Sequence, residues 1–380
     1  MQPAVFEVAI PDAELADLAE RIARARLPQV VAGAGWDYGT DRGYMARLLQ
    51  HWRTAYDWRS EERKLNRWPQ FLLDVDGCKL HYIHARSAHE HALPLVLTHG
   101  WPGTWYEFHR VIDALVAPEQ HGGDPRDAFH VICPSLTGYA WSEPWPLPGC
   151  DIRFAAERQV KLMHALGYPR YGLQGGDWGS LASAYMAALD PERVIGVHLN
   201  MCPAPSTDDP AEAKAQGVMP GRSALVREYV REQKGYAVIQ SLKPDQLAYA
   251  LNDSPLGLAA WMIYCFNAWA DTGGRIESRF DYDYLITTTL VFWFSASMPS
   301  AIRLYRESMK SGRFGPPDSY VAAPTAVAMF KDLSRPKRAW AERCYNITRW
   351  TEFDRGGHFA AHEEPALLVD DIRAFFRDLR

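Results

Sequence analysis

Four short, unbroken apolar runs recur through the middle of the chain: PLVLTHG from Pro94, AFHVICP from Ala128, YGLQGG from Tyr171 and RVIGVHLN from Arg193. Each has strand length, none alternates with polar residues, and helical stretches separate them. A strand covered on both faces reads this way because neither face meets water, so the series predicts a parallel sheet between layers of helices. Strand character returns late, in PTAVAMF from Pro324 and RCYNITRW from Arg343, and PALLVDDIRAFFRDLR closes the chain as a helix. Between the two sets, the pattern lapses into a polar loop near Pro203 and Pro205, and residues from about 220 to 310 read as helices rich in aromatics. A helical insertion that splits such a sheet is usually a cap over the carboxyl ends of its strands. The expectation is an α/β protein: core at 91–202, helical cap at 203–315, core again at 316–380, and an N-terminal extension at 1–90.

The extension opens with Leu15, Leu18 and Ile22 at helical spacing, opposite Glu14, Asp17, Glu20, Arg21 and Arg24, so an amphipathic helix is expected to stop near Pro28. Trp36, Trp52, Trp58 and Trp68 follow in a stretch of mixed polarity that reads as a strap on a larger body, ended by the alternating strands FLLDVDG and KLHYIHA. The strap is as able to hold a homodimer interface as to pack on its own core.

Composition narrows the partners. The 41 basic and 46 acidic residues leave a net charge of −5 with no basic stripe, so nucleic acid is not expected. No apolar run approaches the ~18 residues of a membrane span. Cys78, Cys133, Cys150, Cys202, Cys265 and Cys344 are widely spaced with no CxxC pair, which fits buried thiols in a reducing compartment. The opening MQPAVFEVAIPDAEL lacks a basic segment followed by an apolar one, so the expectation is a soluble cytoplasmic protein, and the sequons at Asn252 and Asn346 are chance matches.

The chemistry concentrates in YGLQGGDWGS. Gly175, Gly176 and Gly179 flank Asp177 and Trp178 at a strand-to-helix junction, the pattern of a nucleophile elbow, whose tight turn excludes side chains on either side. Asp177 occupies the nucleophile's place, unless it is only the cap of the helix that follows. That helix would favour the ionised carboxylate and supply N–H groups for an oxyanion. In α/β-hydrolases an acid and a histidine follow the nucleophile in chain order, each after a late strand. Asp332 stands just beyond PTAVAMF and His358 just beyond RCYNITRW, in DRGGHFAAHEEP; Glu352 and Asp354 rival Asp332 as the acid. Two glycines let the loop present His358, whereas His362 lies in the next helix and would aim elsewhere. THGWPGTWYEF follows the first core strand, where such folds add a second oxyanion donor, so the backbone N–H groups of Trp101 and Trp178 are the candidate pair. His99 and Pro102 read as structural, the proline as a cis turn former.

GGDWGS, HGWPG, PSLTGYAWSEP and GGHFAAHEEP, in that order, resemble the epoxide hydrolases of the microsomal type, and GWDYGTDRGYM with HWRTAYDWR resembles the N-terminal segment of that branch. The likeness covers nearly the whole chain. It implies an α/β-hydrolase fold, no cofactor or metal, a small-molecule epoxide and water as substrates, and two cap tyrosines that hydrogen-bond the epoxide oxygen. KGYAVIQSLKP supplies Tyr236 and SAIRLYRES supplies Tyr305. The family's acid is often Glu where this chain has Asp332, and the segment before it is one residue short of the usual length. A membrane anchor like that of the animal enzymes is not expected here, and a soluble form is. Members of this branch serve detoxification and natural-product pathways, enediyne antibiotics among them, which suggests a bulky aromatic epoxide.

The residue types suit that reaction. A carboxylate attacking an sp³ carbon leaves an ester that water can remove at its carbonyl, with His358 as base and Asp332 orienting the imidazole. A phenol, with an ordinary pKa near 10, can donate to the opening alkoxide while staying protonated at neutral pH. Two rivals remain at this point: a haloalkane dehalogenase, which uses the same Asp, acid and His but needs no proton donor, and an idle hydrolase-fold binder. The cap aromatics Trp261, Tyr264, Phe266, Trp269 and residues 291–294 either line a wide apolar pocket or simply pack the cap.

Overall fold

The computed structural model describes residues 2–205 and 233–380. Residues 206–232, which include the start of the expected helical cap, lie outside the described residues.

The apolar runs form the centre of a nine-stranded sheet in the order β1-β2-β3-β5-β4-β6-β7-β8-β9. The strands are β1 (Ala4–Phe6), β2 (Gln70–Val75), β3 (Cys78–Ala85), β4 (Leu93–Thr98), β5 (Phe129–Pro134), β6 (Tyr171–Gly175), β7 (Val194–Leu199), β8 (Val321–Met329) and β9 (Tyr345–Glu352). Strands β4 to β9 are parallel, whereas β1, β2 and β3 pair antiparallel and β3 joins the rest antiparallel to β5. The antiparallel edge has a local cause: Asp76 and Gly77 both hold positive φ, 57° and 78°, as a two-residue hairpin needs. Every residue of β6 and β7 is buried, which is why neither strand alternates.

Helices α1 (Asp12–Ala23), α2 (Arg42–Thr54) and α3 (Trp58–Leu65) precede the hairpin. Leu18 and Ile22 bury the apolar face of α1, which ends five residues before Pro28. Trp52, Trp58 and Trp68 are all buried in their own chain, and Trp68 donates its indole N–H to Asp113 at 2.8 Å. This N-terminal strap also reaches the helices that follow the sheet's first half. Thr40 donates to the Ala260 carbonyl at 2.6 Å, the Tyr56 and Thr287 hydroxyls meet at 2.9 Å, and Trp58 packs on Phe294 with ring centroids 4.6 Å apart.

Helices α4 (Ile112–Val116), α5 (Ile152–Ala165) and α6 (Trp178–Leu189) connect the core strands. Between β7 and β8 come α7 (Gly235–Leu242), α8 (Pro244–Leu251), α9 (Pro255–Trp269), α10 (Tyr282–Phe294) and α11 (Met298–Lys310). Helices α9 and α10 are apolar nearly all round because they pack between the strap and the core. The chain ends with α12 (Arg338–Ala341), α13 (Ala360–Glu363) and α14 (Pro365–Arg377). Asp371 of α14 pins β7 and β9 together, accepting from His198 at 3.0 Å, Arg349 at 2.6 Å and Thr351 at 2.8 Å. Among the described residues no single helix is long and apolar enough to cross a membrane, and all six cysteines are free.

Candidate active site

The carboxyl ends of β4, β6, β8 and β9 converge on Asp177. This residue bridges β6 and α6 at φ 50°, ψ −128°, a left-handed conformation that costs a non-glycine residue about 1–3 kcal/mol. Close approach on every side holds it there. A Cβ on Gly175 would lie 2.8 Å from the Ser180 nitrogen, one on Gly176 2.5 Å from the Asn200 amide, and one on Gly179 2.9 Å from the His99 carbonyl. Gly100, across the site, would put a Cβ 2.6 Å from Asp177 Cγ. The small residues are thus dictated by packing around the carboxylate.

The backbone N–H of Trp101 donates to Asp177 Oδ1 at 2.9 Å, and the Trp178 N–H donates to the same carboxylate. Trp101 is presented by a loop with a cis Trp101–Pro102 peptide bond. His99 braces that loop, one ring nitrogen 3.1 Å from the Gly100 carbonyl and the other accepting from Leu136 N–H at 3.1 Å. Its burial pushes the imidazole down to about 4, which keeps it neutral for both bonds.

His358 Nε2 lies 3.6 Å from Asp177 Oδ2, and its Nδ1 lies 2.7 Å from Asp332 Oδ1. Glu352 and Asp354 are exposed, and Glu352 accepts instead from the Trp350 indole at 3.0 Å. His362 turns away, with its Nε2 3.1 Å from the Arg279 carbonyl and its ring tilted against Tyr284 with centroids 3.9 Å apart. Burial alone would lower the His358 pKa, but the Asp332 carboxylate, with Asp177 and Glu107 behind it, outweighs burial and raises it to about 9. Asp177 is raised by burial, against which His358 and the two N–H donors hold it down.

Tyr236 on α7 and Tyr305 on α11 both reach this site. The Tyr236 ring stacks on Trp101 at 5.1 Å and 7°, while Tyr305 stands edge-on to Trp178 at 4.8 Å. The two phenol rings are 6.0 Å apart. Trp269 stands between Tyr236, at 5.0 Å, and His358, at 5.1 Å. The other cap aromatics mostly pack. Phe266 stacks on Phe359 at 4.4 Å, Phe292 meets Tyr139 at 6.0 Å, Arg21 lies over Trp293, and the Trp261 indole donates to Gln240 at 3.0 Å.

Glu107 is the residue that the sequence reading missed. It lies in the same THGWPGTWYEF segment, one turn beyond Gly103, and its carboxyl folds back onto Gly103 and accepts the Gly100 N–H. Burial first, and the Asp177 charge after it, push Glu107 up to about 8. The signal was a carboxylate in a motif whose neighbours bind anions, but only the folded turn shows which way it points. Among the described residues no group of three or more His, Cys, Asp or Glu side chains is arranged to hold a metal ion.

Residues 3–108 match the epoxide hydrolase N terminus, and residues 94–251 match the alpha/beta hydrolase fold. The chain is 38% identical to a Stigmatella aurantiaca epoxide hydrolase homologue, covering 99% of this chain and 85% of that one. It is 34% identical to epoxide hydrolase 1 of Sus scrofa, over 97% of this chain and 87% of that one. The crystal structure of juvenile hormone epoxide hydrolase from Bombyx mori superposes with a TM-score of 0.86 at 29% identity, covering 100% of this chain and 94% of that one. With a hydrolase sheet, an aspartate at its elbow and near full-length identity of this order, the chain belongs to the epoxide hydrolases of the α/β-hydrolase fold.

Proposed function

We propose that the enzyme converts an epoxide and water to a vicinal diol in two steps through an ester on Asp177. The observation that carries this reading is one carboxylate held between two backbone N–H donors, with an imidazole nitrogen 3.6 Å away that is itself bonded to a second carboxylate.

In the first step an Asp177 oxygen attacks an epoxide carbon and the ring C–O bond breaks. Tyr236 and Tyr305 donate to the departing oxygen, whose charge would otherwise have to form unaided. In the second step His358 takes a proton from water, whose oxygen adds to the ester carbonyl; the bond between the Asp177 acyl carbon and the substrate oxygen then breaks, the released alkoxide takes that proton back from His358, the Asp177 carboxyl proton restores the tyrosine that gave one in the first step, and the diol leaves. The negative oxygen of the tetrahedral intermediate rests on the Trp101 and Trp178 N–H groups, each such donor being worth about 2.7–4 kcal/mol.

The electrostatics give the steps their order. While Asp177 is ionised its charge helps keep His358 protonated, with a pKa of about 9. Esterification removes that charge, so the imidazole pKa falls just when a base is needed. Asp332 remains to orient the ring and to stabilise the imidazolium that forms.

The aromatic faces of Trp101, Trp269, Tyr236 and Tyr305 around the carboxylate support a bulky or aromatic epoxide as the substrate class. Paired tyrosines beside the anion hole favour epoxide opening over halide displacement, which needs no proton donor. In this reading the region around 203–315 is the cap that brings the tyrosines, 91–202 and 316–380 are the core that brings Asp177, Asp332 and His358, and 1–90 is the strap. The free cysteines support a cytoplasmic setting.

The test is His358→Gln with racemic styrene oxide, followed by mass analysis of the peptide carrying Asp177. A covalent adduct on Asp177 that persists while the diol fails to appear is the expected result. Absence of an adduct, or an adduct on another residue, would overturn the scheme.

A further inference from the structure

The loop bearing His358 is held by an unusual convergence on one carboxylate. Glu363 Oε2 accepts the Gly357 N–H at 3.0 Å and Oε1 accepts the Phe359 N–H at 2.9 Å, so both neighbours of His358 are tied to the same side chain. Glu363 Oε2 also accepts the Asp271 N–H at 2.7 Å, just past the end of α9. The His358 N–H between them donates to the Trp269 carbonyl, at the last residue of α9, at 3.1 Å. The Glu363 side chain is 0% exposed.

Nothing larger than glycine fits where these strands of chain meet. A Cβ on Gly357 would stand 2.6 Å from the Asp271 nitrogen and 2.7 Å from the Trp269 carbonyl oxygen. Arg279 closes the junction from outside, donating to the Asp271 carbonyl at 2.8 Å and to Glu364 at 2.9 Å. Asp271 in turn accepts the Gly356 N–H at 3.1 Å. The same end of α9 carries Trp269, whose ring contacts both His358 and Tyr236. Any shift of this helix end therefore moves the base's loop and the neighbour of a proton donor together.

We propose that Glu363 is a positioning residue for His358: its carboxylate clamps the loop on both sides of the imidazole to the end of α9, so that the cap fixes where the base stands over the ester. The inference rests on the two-step reading above. Its physical basis is the steep distance dependence of proton abstraction, where about 1 Å of misplacement costs ~10²-fold. Three backbone N–H groups that would otherwise be buried without an acceptor supply the rigidity.

The experiment is Glu363→Gln, an isosteric change that replaces one accepting oxygen with a donor facing N–H groups. Single-turnover reactions with styrene oxide give the rates of ester formation and ester hydrolysis separately, alongside the thermal midpoint. Ester formation within about threefold of wild type, with hydrolysis slowed by about tenfold to a hundredfold so that the Asp177 ester accumulates, is the expected outcome. Equal slowing of both steps, or no slowing of hydrolysis, overturns the proposal. Should the wild-type enzyme itself form no Asp177 ester, the two-step reading falls and this inference with it; an unaffected hydrolysis step in the variant removes this inference alone. Hydrogen exchange in the wild-type protein gives a second readout that needs no variant. The Gly357, His358, Phe359 and Asp271 amides should open as one unit, and exchange of the loop amides well ahead of Asp271 contradicts the clamp.

Discussion

Gly100→Ala is a sharp test of how the carboxylate is held. The new methyl group would stand 2.6 Å from Asp177 Cγ, with other atoms of that side chain nearer still, where ordinary contact begins at 3.4 Å. Relief cannot come from Asp177 alone, because its backbone is fixed at φ 50° with glycines packed on either side. The HGWPG loop must therefore retreat, and it carries the Trp101 N–H with it. A retreat that restores normal contact takes the 2.9 Å bond from Trp101 to Asp177 beyond hydrogen-bonding range, about 3.5 Å. Loss of one oxyanion donor costs ~2.7–4 kcal/mol, or about 10²–10³ in rate, while overpacking costs about 1–3 kcal/mol of stability. Turnover of styrene oxide and urea unfolding measured on the same preparation separate the two effects. A folded Gly100→Ala protein that turns over within tenfold of wild type would refute the steric argument and the donor role of Trp101.

Tyr236→Phe and Tyr305→Phe should each slow ester formation while leaving ester hydrolysis near wild type, and the double variant should nearly stop it; rapid-quench measurement of the ester decides this. His358 links folding to pH. Its folded pKa of about 9 exceeds the unfolded value of about 6.5, so its contribution is complete below pH 6.5 and is lost as pH rises through 9. Urea midpoints at pH 6 and pH 10 should show wild type losing up to about 3 kcal/mol relative to His358→Gln, and a difference that does not vary with pH contradicts the ion-pair geometry. Asp332→Asn removes the carboxylate that outweighs burial, so the His358 pKa should fall well below its value in the wild type, as NMR titration of the imidazole would show; an unmoved titration assigns the shift elsewhere.

The parallel sheet and the elbow were legible because each follows from local sterics. Strands such as Val194–Leu199 bury every residue, and only small residues tolerate the approach of Thr98, His99 and Asn200 to the glycines around Asp177. The acid was legible only as a choice. Asp332 and Asp354 follow late strands and Glu352 is the last residue of β9, and it is the exit direction of β8 that brings Asp332 to 2.7 Å from the imidazole. Glu363 was invisible, and Glu107 was marked only by its place in the HGWPG segment, because their partners are backbone N–H groups, which every residue carries, so no spacing of side chains announces them. The cap aromatics were ambiguous for a related reason: an apolar helix has the same composition whether it lines a pocket or fills a core. Folding assigns Phe266 and Phe292 to packing and brings Trp269 beside His358.

The most direct test of the central claim is a single turnover of styrene oxide in ¹⁸O-labelled water with excess enzyme, followed by mass analysis of the diol and of the Asp177 peptide. Attack by the Asp177 carboxylate predicts a diol without label from the first turnover and one labelled oxygen in Asp177. A labelled diol beside an unlabelled Asp177 would mean that water attacks the epoxide directly, and the assignment of Asp177 as nucleophile would be wrong.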